Sequence, residues 1–185
     1  MPNNLLHAEK LLAALLIFRW ARRYLQGEIV NFLESLAAEW YAIQGYFVRT
    51  NIKANRRHNG GYNNEIDVLA FLPATGKLVH LETSWDALTW EKREERYISK
   101  KFVFSPEQYT EIVGATPASI QKRAIIGTSK SQPKEIWGAD IEETTVPNFI
   151  AEIAAEMKQR HPMRDVIPET YPCLRSFQFA LAYGS

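Results

Sequence analysis

Cysteine is almost absent: Cys173 stands alone among 185 residues, so neither an intramolecular disulfide nor a cysteine-based zinc site can form. That scarcity points to a reducing, cytoplasmic setting. Charge of one sign is missing too. The chain has 22 Lys and Arg against 21 Asp and Glu, and a net charge of +1 lacks the bulk basicity that by itself argues for a nucleic-acid partner. No long apolar segment is present. The run from Leu11 to Phe18 is too short to cross a bilayer, and Arg19, Arg22 and Arg23 follow it where a signal peptide would place small residues. No membrane partner is expected, and the run reads as a buried helix.

What is present is an ordinary globular composition, 46% hydrophobic and 23% charged. Without a repeat, linker or low-complexity stretch, one domain is expected over 1–185: an N-terminal helix to 27, a core over 28–128 and a helical extension over 129–185. Helices are expected over 5–26 and 29–44, the second with apolar Phe32, Leu33, Leu36, Trp40 and Ile43 at helical spacing and Gly45 as its stop. A strand over 46–53 leads into a polar loop over 55–64. Helix formers fill 87–102, and Ser105 caps a helix that opens at Pro106. Strands are expected over 123–128 and 134–139, a helix from Pro147 to about 159, and a last one from Thr170. This order implies an α/β sandwich with a mixed sheet.

Between these elements lie two apolar runs, 65–72 and 77–84, joined by Pro73-Ala74-Thr75-Gly76, which reads as a β-hairpin. If those four residues form the turn, Leu72 pairs with Lys77 and Asp67 falls opposite Glu82. Opposed side chains share a face with Cβ atoms about 5 Å apart, so the two carboxylates repel unless a proton or cation lies between them. Hard oxygen donors suit Mg²⁺ or Mn²⁺. On this reasoning Asp67→Asn should stabilise the metal-free protein. Ile66, Val68, Ala70, Val79 and Leu81 form the apolar face that packs on a helix. His80 lies with the acids and reads as a satisfied sheet histidine.

Glu34, Ala37, Trp40, Tyr41, Gly45 and Tyr46, then Asn51, then Glu65-Ile66-Asp67, then Glu82, resemble in order and spacing the resolvase-like members of the PD-(D/E)xK nuclease superfamily. The resemblance covers about 29–128 and implies the restriction-endonuclease-like αβββαβ core. It implies an Mg²⁺-dependent phosphodiesterase acting on nucleic acid, DNA more than RNA. Asp67, Glu82 and the carbonyl of Thr83 would hold the metal, with Glu34 assisting. The sequence departs from the pattern at Ser84, where active members carry a lysine. A neutral serine cannot supply that charge. Lysine migration to the following helix is known in the superfamily, which makes Lys100 and Lys101 candidates, with Arg93, Arg96 and Lys100 as one stripe on that helix. The alternative is a catalytically inactive nucleic-acid-binding module of the same fold. Phosphate contacts are expected from Arg56, Arg57 and His58, and base stacking from Tyr62. A third reading is an interaction protein whose apolar first helix forms a homodimer surface.

Overall fold

The computed structural model describes residues 31–85, 88–127 and 140–184. The helix expected over 5–26, the Arg19, Arg22, Arg23 cluster and the strand expected over 134–139 lie outside them.

Helix α1 (Phe32–Ile43) starts where Asn31 takes an extended conformation and its Oδ1 accepts from Leu33 N at 3.1 Å. Its inward stripe is Leu33, Leu36, Ala37, Trp40 and Tyr41. The chain then reverses at Gly45, whose φ of +90° suits glycine. Five strands follow in one sheet: β1 (Phe47–Arg56), β2 (Tyr62–Leu72), β3 (Lys77–Ser84), β4 (Ser119–Ile126) and β5 (Ile141–Thr145). Their spatial order equals their chain order. The first three are antiparallel, whereas β3, β4 and β5 are parallel, so the sheet is mixed as expected.

Helices cover both faces. On one, α1 meets α4 (Val146–Met157) and α5 (Pro172–Tyr183) around Val68, Ala70, Val79, Leu81 and Ile125. Glu39 of α1 ties α5 down by accepting from Cys173 N at 3.2 Å and Leu174 N at 2.8 Å. Burial of Leu36 makes Leu36→Ala cost about 2–5 kcal/mol. On the other face, α2 (Trp90–Arg96), a π-helical turn (Tyr97–Lys101) and α3 (Pro106–Val113) pack by means of Tyr97, Phe102, Phe104 and Tyr109. A capping box between Ser105 and Gln108 opens α3, with Pro106 in its first turn.

Several expectations change. Half of the loop over 55–64 is strand: Arg56 pairs with Tyr62, and a tight turn at 57–61 separates β1 from β2. Polar residues there need no burial because β1 is an edge strand, and backbone pairing alone extends the hairpin. The helix over 87–102 is shorter, starting at Trp90, and ends in the π turn. Strand β5 is new; Ile141-Glu142-Glu143-Thr144-Thr145 is short and acidic, and only its pairing with β4 makes it a strand. Ile66 leaves the α1 face and joins Ile52, Leu69, Leu78 and Tyr109. The β1–β2 ladder lacks a pair at Asn51 and Asp67, and Asn51 has φ +53°, so strict alternation breaks beside Ile66.

Candidate active site

The hairpin register is the expected one. Leu72 pairs with Lys77, and the ladder runs to Val68–Leu81, which places Asp67 and Glu82 next along the strands. Asp67 is 8% exposed and Glu82 is fully buried. The cation between them is a side chain of the protein itself. Lys101 Nζ lies 2.8 Å from Asp67 Oδ1 and 2.5 Å from Glu82 Oε2. The ammonium hydrogen-bonds Asp67 Oδ1 at 2.8 Å and the Glu65 carbonyl at 3.2 Å, while its contact with Glu82 Oε2 is an ion pair.

The π turn decides which lysine arrives. Arg93, Tyr97 and Lys101, each four residues on from the last, are the residues that face the sheet, so the expected Arg93–Arg96–Lys100 stripe does not form. Lys100 points to solvent, and its carbonyl accepts from Asn64 Nδ2 at 2.7 Å. Ser84, at the position where the resemblance calls for lysine, is buried beside Tyr97 of the same turn.

Thr83 anchors the other side of Asp67. Its backbone N–H donates to Asp67 Oδ2 at 2.8 Å, and its hydroxyl lies 3.4 Å from the same oxygen. Glu34 joins through Asn31, whose Nδ2 donates to Glu34 Oε1 at 2.6 Å and to Thr83 Oγ1 at 3.3 Å. Asn31 thus caps α1 and ties its first turn to β3. Sequence reasoning missed this residue because it started the helix at 29, whereas the one signal for it is an Asn just before an apolar stripe. It also missed Tyr109, whose hydroxyl lies 2.6 Å from His80 Nδ1, while His80 Nε2 lies 2.8 Å from Glu82 Oε1. His80 is the satisfied sheet histidine that was expected.

Burial sets the proton affinities. It pushes Glu82 well above the usual carboxylate value, Asp67 adds to this, and Lys101 opposes both. Glu34 is raised by burial and then by Asp67. Burial disfavours charge on Lys101, yet Glu82 and Asp67 more than offset it and hold the ammonium above its ordinary value. Full burial, reinforced by Lys101 and Lys122, holds His80 well below its ordinary value, so the imidazole is neutral.

Among the described residues no three His, Cys, Asp or Glu side chains converge to cage a cation. Mg²⁺ does not require such a cage, since it is commonly held by one or two carboxylates, its own waters and a substrate phosphate. With all three acids ionised, Asp67, Glu82, Glu34 and Lys101 sum to a charge of −2, which a divalent ion neutralises. The donor set therefore fits a hard divalent cation in oxygen chemistry and in charge. Asp67, Glu82, Thr83, Glu34 and Lys101 come together. Arg56, Arg57, His58 and Tyr62 do not join them: all four are exposed at the far end of the β1–β2 hairpin. Tyr62 is five residues, about 17 Å, along β2 from Asp67. Arg57 Nε is held there by Asn63 Oδ1 at 2.7 Å.

No family model matches the chain. No curated protein matches it either. Among solved structures it is similar to one described as a protein of unknown function, AF1548, with 12% identity and a TM-score of 0.44 over 83% of this chain and 98% of that one.

Proposed function

We propose that the chain is a divalent-metal-dependent phosphodiesterase of the restriction-endonuclease-like fold, acting on nucleic acid and on DNA before RNA. The observation that carries this reading is the Lys101 ammonium bridging Asp67 and Glu82. It brings to the acidic pair the positive charge that Ser84 lacks, from the element to which such a lysine migrates. The order helix, three antiparallel strands, a helical stretch from α2 through α3, and a parallel strand also agrees with the αβββαβ core.

Asp67 and Glu82, with the Thr83 carbonyl, would hold the ion and Glu34 would assist. When bound, the ion would lower the pKa of a water and offset charge building on the scissile phosphate. The residues themselves do the rest. Thr83 fixes Asp67 through Oδ2 and leaves Oδ1 facing the site. Asn31 fixes Glu34. Lys101 orients the attacking water in exchange for the longer of its two hydrogen bonds, the one to the Glu65 carbonyl. The exposed Arg56, Arg57, His58 and Tyr62 would meet the nucleic acid away from the cut.

The test is cleavage of linear, branched and single-stranded DNA and RNA with Mg²⁺ or Mn²⁺, beside Glu82→Ala prepared identically. Cleavage by the parent and none by the variant supports the reading. No cleavage by either, with DNA still bound, replaces it with the inactive binding module.

A further inference from the structure

Glu82 has a second side, turned away from Lys101. Its Oε1 meets His80 Nε2 at 2.8 Å, and His80 Nδ1 meets the Tyr109 hydroxyl at 2.6 Å. Glu82 and His80 are fully buried and Tyr109 is 1% exposed, so no water completes these bonds from bulk solvent. The imidazole is also clamped: Phe102, Phe104 and Tyr109 surround it edge-on at ring-centroid distances of 4.8, 5.6 and 5.7 Å.

Donor and acceptor accounting gives this chain a direction. His80 Nδ1 is the hydrogen-bond partner of the Tyr109 hydroxyl, and a buried O–H that donates to nothing carries the whole desolvation cost of its proton. Tyr109 therefore donates to Nδ1, which must be the unprotonated nitrogen. A neutral imidazole then keeps its proton on Nε2 and donates it to Glu82 Oε1. Glu82 Oε2 faces an ammonium, which only donates. Oε1 of Glu82 thus accepts from His80, and Oε2 is the oxygen that pairs with the ammonium.

We propose that Tyr109 and His80 are positioning residues for Glu82. The Tyr109 hydroxyl fixes His80 as the Nε2–H tautomer, and His80 pins Oε1 so that Oε2 alone faces Lys101 and an arriving cation. The inference rests on the reading of the acidic pair as a metal centre. It adds a layer drawn from α3 that fixes how Glu82 presents itself, as outer partners commonly do for metal-binding side chains.

Tyr109→Phe tests it by removing one oxygen while keeping the ring. Histidine ¹⁵N spectra of the metal-free full-length protein should show His80 protonated at Nε2, with Nδ1 shifting in Tyr109→Phe as it loses its donor. Titration with Mn²⁺ alone should show about 10–100-fold weaker binding by Tyr109→Phe. DNA affinity in chelator should stay close to the parent's, while the melting temperature falls modestly because His80 Nδ1 is left without its donor. His80→Gln, whose amide N–H can stand where Nε2–H stands, should keep most of the Mn²⁺ affinity; His80→Leu should lose it. A purely structural role would not separate these two. A proton on Nδ1 in the parent, or unchanged Mn²⁺ affinity in Tyr109→Phe, overturns the inference. A parent that binds no Mn²⁺ overturns the metal reading instead, and the tautomer spectrum then decides the inference by itself. If Tyr109→Phe does not fold, the parent's spectrum and the two His80 variants decide it.

Discussion

Lys101 and Glu82 meet at 2.5 Å between the π turn and the buried strand β3, so the ammonium takes the place where two acids would otherwise face each other alone. The bond has two consequences. One of the pair's two negative charges is compensated without a metal, and the lysine absent from position 84 is supplied from the turn whose Tyr97 lies beside Ser84.

Lys101→Met should therefore destabilise the metal-free protein. It leaves Asp67 and Glu82 buried without their counter-charge, a loss of about 3–5 kcal/mol for a buried pair. The 15% exposure of the lysine side chain places the loss at the lower end. Urea denaturation at pH 8 measures it. Added Mn²⁺ should recover more stability in the variant than in the parent, because the ion then enters a place the ammonium has left. An unchanged denaturation midpoint would show that the bridge contributes nothing.

Asp67→Asn should also destabilise, by about 1–3 kcal/mol. The sequence alone suggests the opposite, because it shows two acids and no cation. In the folded chain Asp67 accepts from Lys101 through one oxygen and from Thr83 through the other, and an amide can keep only one of those acceptors. A thermal melt in chelator checks the sign, and a raised melting temperature would restore the repulsion argument.

Glu143 predicts a pH dependence away from the site. Its carboxylate oxygens are buried with no hydrogen-bond partner among the described residues, and burial lifts its pKa to about 7, Arg93 opposing and Glu94 adding. The folded value lies above the unfolded one. Its contribution to stability is thus complete below about pH 4.5 and is lost as pH rises through about 7. Melting curves from pH 5 to 8 should fall more steeply for the parent than for Glu143→Gln. Parallel curves would exclude it.

The hairpin tip separates binding from chemistry. Arg56→Ala combined with Arg57→Ala should weaken DNA binding in chelator and reduce the salt slope by about 2. Cleavage at saturating DNA should be unaffected, since the tip lies about 17 Å along β2 from Asp67. Unchanged binding would move the interface elsewhere.

How far the sequence could be read depended on how local the cause was. The Pro73-Ala74-Thr75-Gly76 turn and the alternation on either side of it set the β2–β3 register, and with it the meeting of Asp67 and Glu82. Ser105, Pro106 and Gln108 set the start of α3 in the same way. The acids in the sequence were enough to show that something positive had to lie between them.

Which positive group it is was legible only as a choice among a divalent ion, Lys100 and Lys101. Asp67 and Lys101 are 34 positions apart, and the choice of Lys101 over Lys100 follows from a π turn in which Tyr97 is the buried residue. Asn31 and Thr83, 52 positions apart, show the same limit. So does the chain from Tyr109 through His80 to Glu82, which joins a helix to a strand it packs on. Turns and caps arise from neighbours along the chain, where residue type alone fixes the favourable geometry. A buried charge is matched by whichever group the packed helices bring within about 3 Å, and only the tertiary structure decides which that is.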